Sequence, residues 1–339
     1  MKKIIKVKYT LLVLIIEISI LILALILAYN SLTMPKKKST FFIPSSNINT
    51  ILDTLDKHGF YTYAIDKYVF KFMTLPKKGW YTIGQKKESR IKFFYTLHTK
   101  RSETMQVKLY AGETSHELTK RLANDMKLDP DKLLNAYKKR SQFKEADIFS
   151  GRYTLARDAD ENTTIAYLFH ISNDILKNFS QNYCKKVPTY FELKTLIVMA
   201  SIIQKESNSV KEMPLISSVI YNRLEKGMKL QMDGTLNYGR YAHTIVTPER
   251  IKKDESLYNT YKHKGLPPAP LSTISIEALE AAYNPKSSNY LFFMLNKDGS
   301  HNFAVTYAEH LENIRAFRAT SKENNETKKD NINSTKPSE

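Results

Sequence analysis

The sequence predicts an α+β protein that carries one membrane helix at its N-terminus. Three patterns predict this class. Residues 10–29 are apolar apart from one glutamate, residues 41–140 alternate between strand-like and helix-like spacing, and residues 141–318 are mostly helical with a few short strands. The expected division is a basic head over 1–9, a transmembrane helix over 10–29, a linker over 30–40, an α+β subdomain over 41–103, a small α/β recognition module over 104–140, a larger domain over 141–318 and a disordered polar tail over 319–339.

The N-terminal segment indicates an uncleaved membrane anchor. Four lysines lie in Met1–Lys8, and Thr10–Tyr29 has the roughly 20 residues that a helix needs to cross a bilayer. Glu17 is the single charge in this run, and a carboxylate is costly there. A cleavable signal peptide is the alternative, but no A-x-A-like site follows Tyr29. Lysines flank both ends of this run, with Lys36–Lys38 on the far side, so the charge rule alone does not decide the orientation. The short basic head before the first span still favours an N-terminus inside the cytoplasmic membrane and the bulk of the chain outside.

Composition narrows the classes of partner. The formal net charge of +18 is typical of proteins that meet nucleic acid, anionic lipid or an anionic polymer, although lysines spread along the chain also fit a merely solvated surface. Because we expect the bulk of the chain to lie outside the cytoplasmic membrane, we expect no nucleic-acid partner, and the cell wall and the membrane surface remain. One cysteine, Cys184, excludes an internal disulfide and a cysteine-built metal site, and we expect it to fill the core.

The elements of the first half follow from spacing and breakers. Apolar spacing predicts a helix over Ile48–His58 that Gly59 ends, and three β-rich runs predict strands over Lys78–Ile83, Ile91–Leu97 and Thr104–Tyr110. The glycine turn at 112–114 then leads into two helices, which carry apolar stripes over 118–126 and 133–137.

The second half reads as a helical domain with short strands. Helical spacing covers Thr163–Tyr183, Tyr190–Ser207, a segment from Glu212 or Pro214 to Lys226, and Ile274–Tyr283. Alternation predicts strands over 228–232, 290–295 and 303–306, the last two joined by the Asp298-Gly299 turn. The proline-rich stretch 258–271 is typical of a loop that lines a cleft.

Glu206 is the candidate acid. It follows Ile203, Ile202 and Met199 by three, four and seven residues, which places it at the edge of an apolar helix stripe where water is scarce. Desolvation raises the pKa of a carboxyl group, and a carboxylic acid that keeps its proton near neutral pH can protonate a glycosidic oxygen. A surface glutamate near a helix end is the alternative interpretation.

Other polar residues surround Glu206 in the sequence and suit sugar binding. Asp233 is either a second carboxylate for glycoside hydrolysis or a residue that orients Asn222 and Arg223. The substrate-binding candidates are Ser207, Tyr221, Asn222, Gln231, Asp233, Tyr238, Asn259 and Tyr261. No metal or cofactor is expected, because the histidines lack ligand spacing and no phosphate-binding or serine-hydrolase motif is present.

The block Met199–Gly239 resembles the YceG-like (MltG) family of endolytic murein transglycosylases. The resemblance rests on Ala200 to Ile202, Lys205-Glu206, Glu212, Pro214, Asn222 to Leu224, Gly227-Met228, Leu230-Gln231, Asp233, Thr235 and Tyr238, then on YNTY at 258–261, GLPPAP at 265–270, and GSHNF at 299–303 with Glu309-His310. Three departures stand out: Gln204 replaces a glutamate, Gly234 replaces a proline, and Ser150–Tyr153 differs from the family segment.

The resemblance implies a YceG-like catalytic domain over 141–318, a LysM-like glycan-binding module over 104–140, and Glu206 as the catalytic acid. It also implies cleavage of nascent peptidoglycan strands without water, leaving 1,6-anhydro-muramic ends, with the cytoplasmic membrane and cell-wall synthases as further partners. Two alternatives stay open: a muramidase-type hydrolase that uses Glu206 with Asp233, and a non-catalytic glycan-binding scaffold.

Overall fold

The computed structural model describes residues 2–184 and 186–319, with side chains from residue 7 onward in these ranges. Apart from residue 319, the expected disordered tail therefore lies outside the described residues. The described chain forms two compact units. The N-terminal unit contains residues 2–106 and 154–164, and the C-terminal unit contains the described part of 107–153 and 165–319.

Helices make up about half of the described residues. They are α1 (Lys2–Ser31), α2 (Ile48–Lys57), α3 (Asp66–Phe70), α4 (Arg90–Leu97), α5 (Ser115–Met126), α6 (Pro130–Arg140), α7 (Glu161–Asn182), α8 (Tyr190–Glu206), α9 (Met213–Glu225), α10 (Pro248–Lys253) and α11 (Ile276–Tyr283), with a final helix over 307–319. The strands are β1 (Ser39–Ile43), β2 (Gly79–Ile83), β3 (Thr104–Leu109), β4 (Gly151–Ala156), β5 (Phe292–Leu295) and β6 (His301–Ala304).

The strands form three two-stranded sheets: β1 with β2, β3 with β4, and β5 with β6. The first and third sheets are antiparallel, with Phe41 opposite Tyr81 and Phe293 opposite Phe303. The mixture of helices and small sheets confirms the predicted α+β class. Strand, glycine turn and two helices occur over 104–140 as expected, whereas the LysM likeness of this segment stays a prediction.

The helix α1 contains a stretch, Val7–Ser31, that is long and apolar enough to cross a membrane. The N-terminal unit packs its own core, in which six of the thirteen buried residues are aromatic, including Phe41, Phe60 and Phe93. This core forms because α2, α4 and the β1–β2 sheet each turn one apolar face inward.

Two predicted strands are wrong. Residues Ile91–Leu97 lie in α4, because Phe93, Phe94 and Leu97 are spaced to face one core and the buried Arg90 holds the first turn. Composition rich in aromatic and β-branched residues indicated a strand, but the period-2 alternation of a strand is absent.

Residues 228–232 do not form a strand either. Gln231 has a φ of 51°, in the left-handed region, which breaks an extended run. Its backbone N–H bonds to the carbonyl of Thr260, and the next N–H, from Met232, bonds to the Thr260 hydroxyl. The segment is therefore fastened to the 258–271 loop instead of to a neighbouring strand.

The core of the C-terminal unit positions the candidate site. The helix α8 packs against α9 and α11, and its middle residues Ile197–Ile203 are all buried. A capping box at Thr189 and Glu192 fixes where α8 begins. Its last residue is Glu206, so the acid lies where the buried helix meets a loop. Cys184 is half-buried and packs against this core.

Candidate functional site

A polar cleft of about 360 Å³ opens at the end of α8 in the C-terminal unit. It combines both charge signs with an aromatic and aliphatic wall. Its lining residues are Lys205, Glu206, Asn208, Arg223, Leu230, Gln231, Met232, Asp233, Tyr261, Phe293, Met294, Leu295 and His301.

The carboxyl group of Glu206 lies in this cleft and is half-buried. Its Oε1 atom accepts a hydrogen bond from the backbone N–H of Gly234 at 2.7 Å. Burial raises the pKa of Glu206 to about 7, and the nearby charge of Asp233 adds to the rise, while the Gly234 bond and the charge of Arg223 oppose it. Glu206 therefore holds a proton at a pH where an ordinary glutamate has lost it.

Asp233 and Tyr261 form a bonded pair in the cleft. The tyrosine hydroxyl donates to Asp233 Oδ1 at 2.6 Å, and the Asp233 side chain remains exposed. Burial and the carboxylate of Asp233 raise the pKa of Tyr261, so its hydroxyl stays a neutral donor. The pair places the exposed carboxyl group of Asp233 in the same cleft as Glu206, where it can meet a ligand.

Two cations belong to the cleft wall. Arg223 is buried, and it donates to the carbonyls of Leu291 at 2.6 Å and Leu230 at 2.5 Å. Lys205 donates through Nζ to the carbonyl of Gly112 at 2.7 Å, and burial lowers the pKa of its ammonium group. Both cations are thus held by backbone carbonyl oxygens.

A histidine–glutamate pair completes the cleft. Glu212 accepts from the backbone N–H of His301 at 2.7 Å, and its other oxygen lies 2.9 Å from Nδ1 of the His301 ring. The ring is thereby fixed in orientation, since one carboxylate holds both its backbone and its side chain. Sequence analysis found no short ligand spacing for His301 and missed this pair, because 89 residues separate the partners. The signal available was that both residues lie in the blocks that carry the family resemblance.

The structure brings Gln231, Asp233 and Tyr261 together with Glu206, as the sequence interpretation required. Three other predicted contacts lie outside the cleft. The hydroxyl of Ser207 donates to the carbonyl of Ser209 at 2.6 Å, and the hydroxyl of Tyr221 donates to that of Ala282 at 2.9 Å. The amide of Asn222 donates to the carbonyls of Ser288 and Tyr290, both at 2.9 Å, and so anchors the chain that leads into β5.

The remaining two candidates also serve the loops that flank the cleft. Tyr238 stacks on Tyr258 with ring centroids 4.2 Å apart and donates to Ser256 Oγ at 2.9 Å. Asn259 is fully buried and donates to the carbonyls of Ile251 and Asp254 at 2.8 and 2.7 Å. These side chains shape the walls and do not face the cleft.

No group of three or more histidine, cysteine, aspartate or glutamate side chains suited to a metal ion occurs in the described part of the chain. A second carboxyl group, Glu145, has its pKa raised to about 7 by burial, but it is bonded to the backbone N–H and hydroxyl of Ser115 outside the cleft. A raised pKa alone therefore does not mark the site; position in the cleft does.

The chain is similar to several known proteins. An endolytic murein transglycosylase of Bacillus subtilis strain 168 is 35% identical over 145 residues, which cover 40% of this chain and 40% of that protein. An endolytic murein transglycosylase of Streptococcus pneumoniae serotype 2 (strain D39) is 30% identical over 177 residues, which cover 50% of this chain and 31% of that protein. The aligned part of the chain thus spans less than half the length of either relative.

A crystal structure of a YceG-like protein from Listeria monocytogenes is also similar. It matches 82% of this chain and 99% of its own, with a TM-score of 0.51 and 25% sequence identity. The model of the YceG-like family matches residues 42–316, which contain every residue of the cleft. Because that match runs over most of the chain, the protein belongs to the YceG-like family.

Proposed function

We propose that this protein is a membrane-anchored endolytic lytic transglycosylase that cleaves the MurNAc–GlcNAc bond of nascent peptidoglycan strands. The observation that carries the proposal is Glu206, a carboxyl group with a pKa raised to about 7 in a polar cleft. The names of the relatives from Bacillus subtilis and Streptococcus pneumoniae support the substrate class.

The reaction needs one acid that also acts as a base. Glu206 gives its proton to the glycosidic oxygen as the bond from C1 of the muramic acid breaks. The C6 hydroxyl oxygen of the same sugar then bonds to C1, and its proton returns to the Glu206 carboxylate. No water is consumed, and the product ends in a 1,6-anhydro ring. The nucleophile is part of the substrate, so the step gains from intramolecular proximity.

The cleft residues would hold the sugar around Glu206. Gln231 and Asp233 present exposed polar atoms for hydroxyl and acetamido groups, and Tyr261 keeps Asp233 in place. The ring of His301, fixed by Glu212, would bind a polar group of the sugar through Nε2. Phe293 offers an apolar surface for a pyranose face.

The helix α1 would confine this activity to the outer face of the cytoplasmic membrane. The stretch Val7–Ser31 is long enough to span the bilayer, and the basic residues that precede it favour an N-terminus inside the cell. The LysM-like segment 104–140 would add glycan binding. Such an enzyme would terminate strand elongation near the synthases that make the strands.

The test is cleavage of uncrosslinked glycan strands by the full-length chain in detergent, with products identified by mass spectrometry. The parent is expected to release anhydro-muropeptides, and Glu206→Gln at least about a hundredfold less, which is the effect of losing a general acid–base. Glu145→Gln is the matched control, because its carboxyl group has a similarly raised pKa but lies outside the cleft. Circular dichroism checks that each variant folds.

Three results would change the proposal. Products that end in reducing sugars, one water heavier, would indicate the muramidase-type hydrolase. Binding of strands without any cleavage by the parent would indicate the scaffold. Equal activity in the parent and Glu206→Gln would remove Glu206 from the chemistry.

A further inference from the structure

The N-terminal unit carries a patch of exposed apolar side chains near the end of α1. We call it the aromatic patch, and it consists of Ile65, Phe72 and Tyr95, which are exposed and line one groove together. Phe72 is 91% exposed, a value that a phenylalanine in a water-soluble surface rarely has. Single exposed apolar residues need no explanation, but a contiguous set of this kind marks an interaction surface.

The aromatic patch continues directly onto the membrane helix. A groove of about 400 Å³ runs between them, and its lining is almost entirely apolar. One side of the groove is formed by Ile22, Leu25, Ile26 and Tyr29 of α1, and the other by Ile65, Val69, Phe72, Met73, Ile91 and Tyr95.

The position of the patch relative to α1 is fixed by polar contacts. The hydroxyl of Tyr29 donates to Asp66 Oδ1 at 2.6 Å, and the side-chain oxygen of Asn30 accepts from the backbone N–H of Ile91 at 3.3 Å. Asp66 is itself buried against Arg90. The helix end is therefore part of the folded unit and does not join it through a flexible linker.

This attachment sets how deep the patch lies in a membrane. Ile22 precedes Ser31, the end of the apolar stretch, by nine residues, which is about 13 Å of helix. The stretch has 25 residues, about five more than a bilayer core requires. Even if that whole surplus projected outward, Ile22 and the groove wall beside it would lie about 6 Å inside the hydrocarbon.

We propose that the aromatic patch lies in the outer leaflet of the membrane and that lipid acyl chains fill the groove beside α1. The proposal rests on the membrane anchor of the proposed function and adds a second contact with the bilayer. Tyrosine and phenylalanine are enriched at this depth, where apolar rings meet headgroups. The exposed Lys67, Lys71 and Lys92 flank the patch in the chain and suit anionic headgroups.

As a consequence, the N-terminal unit has a fixed orientation relative to the membrane plane. A helix attached through a flexible linker would let the unit sample all orientations. Insertion of the patch, together with the contacts of Tyr29 and Asn30, holds the unit with one face on the lipid surface.

Site-directed spin labelling of the full-length chain in phosphatidylcholine–phosphatidylglycerol vesicles tests this. In a Cys184→Ser background, a nitroxide is attached at Phe72→Cys, at Leu21→Cys within the span, and at Phe191→Cys. Phe191 is the matched control, because it is also a phenylalanine and is 78% exposed in the other unit. Collision rates with oxygen, which concentrates in lipid, and with a water-soluble nickel chelate are measured at each position.

The expected result is a ratio of oxygen to nickel collisions several-fold higher at position 72 than at position 191, and still higher at position 21. If the collision ratio at position 72 equals that at position 191 while position 21 has the ratio of hydrocarbon, the proposal for the aromatic patch is wrong and the membrane anchor stands. Protection of position 72 from both reagents indicates cover by protein and also overturns the proposal. A water-like reading at position 21 removes the anchor and the patch together, whereas the cleavage assay for Glu206 is unaffected by any of these results.

Discussion

The N-terminal unit buries a carboxylate with a full set of partners, whereas the C-terminal unit withdraws one from water with few. Asp66 accepts from Arg90 Nε at 2.8 Å, from the Tyr29 hydroxyl at 2.6 Å and from the Tyr63 N–H at 2.6 Å. Glu206 accepts one N–H, from Gly234, among the described residues. The comparison teaches that burial alone does not decide the role of an acid. Asp66 is compensated by a buried cation, whereas Glu206 has little compensation and a raised pKa, which is what the proposed acid requires.

The largest effect on stability is expected where the buried pair is broken. Arg90→Met leaves the charge of Asp66 without its cation and should lower the free energy of unfolding by about 3–5 kcal/mol. Trp80, the only tryptophan, is buried in the N-terminal unit, so its fluorescence during urea unfolding reports this unit. Lys57→Met breaks the exposed Lys57–Asp53 pair and is the matched control, with an expected loss under about 1 kcal/mol. Similar losses in the free energy of unfolding for the two variants would show that the buried Arg90–Asp66 pair stabilises the fold no more than an exposed ion pair does.

The next effect concerns the single bond that positions Glu206. A Cβ atom at Gly234 would come within 2.7 Å of Glu206 Oε1 and 2.8 Å of Lys205 Cβ, so Gly234→Ala must displace the acid. We expect strand cleavage to fall about 10- to 100-fold while the fold is retained, because small displacements of a catalytic group are costly. Gly84→Ala is the control, since nothing lies within 4 Å of its Cβ position. Unchanged cleavage by Gly234→Ala would mean that the reaction does not require the hydrogen bond from Gly234 to position Glu206.

A smaller effect follows from the raised pKa of Glu206 itself. Between about pH 4.5 and 7 the folded protein keeps this proton and the unfolded chain loses it, so stability falls as the pH rises through this window. Above about pH 7 the parent carries a penalty of about 3 kcal/mol, which Glu206→Gln lacks. The measurement is the free energy of unfolding at pH 5 and pH 8, followed by circular dichroism in both proteins.

Glu145 contributes a similar slope to the parent and to Glu206→Gln, so it cancels in the difference between them. The variant should therefore lose less stability than the parent from pH 5 to pH 8. An identical pH dependence in both would mean that the Glu206 carboxyl group is as well solvated in the fold as in the unfolded chain.

The helices could be predicted because their apolar residues recur with a period of about 3.6 residues. The predicted Tyr190–Ser207 and Thr163–Tyr183 agree with α8 and α7 to within two residues at each end. The failures at 91–97 and 228–232 came from judging short apolar runs by residue type. Tertiary contacts decided both, through the buried Arg90 in one case and the Thr260 bonds in the other.

The site was predictable only in part, because sugar binding and loop fastening use the same side chains. Glu206 could be placed at a helix edge from spacing alone, and Asp233 lies near it. Asn222 and Asn259 have side-chain amides of the kind that bind a glycan, but in the structure these amides donate hydrogen bonds to backbone carbonyls. The Glu212–His301 pair joins distant parts of the chain, and local spacing has no access to such a contact.

The smallest expected effect tests whether Asp233 is a second catalytic carboxylate or only raises the pKa of Glu206. In the structure Asp233 accepts a hydrogen bond from Tyr261, whereas Asn222 and Arg223 donate to backbone carbonyls. The negative charge of Asp233 raises the pKa of Glu206, so Asp233→Asn should lower that pKa and move the alkaline fall of the cleavage rate to lower pH. If Asp233 only tunes and positions, most of the rate at acidic pH remains. If Asp233 were the nucleophile or base of a hydrolase, the asparagine would abolish cleavage at every pH. The cleavage rate measured from pH 5 to pH 9 in the parent and the variant decides between them.

Tyr261→Phe is the companion variant, because it removes the hydrogen bond to Asp233 and keeps the carboxyl group of Asp233 in place. If the alkaline fall of the cleavage rate moves to lower pH in Asp233→Asn and does not move in Tyr261→Phe, the effect is electrostatic.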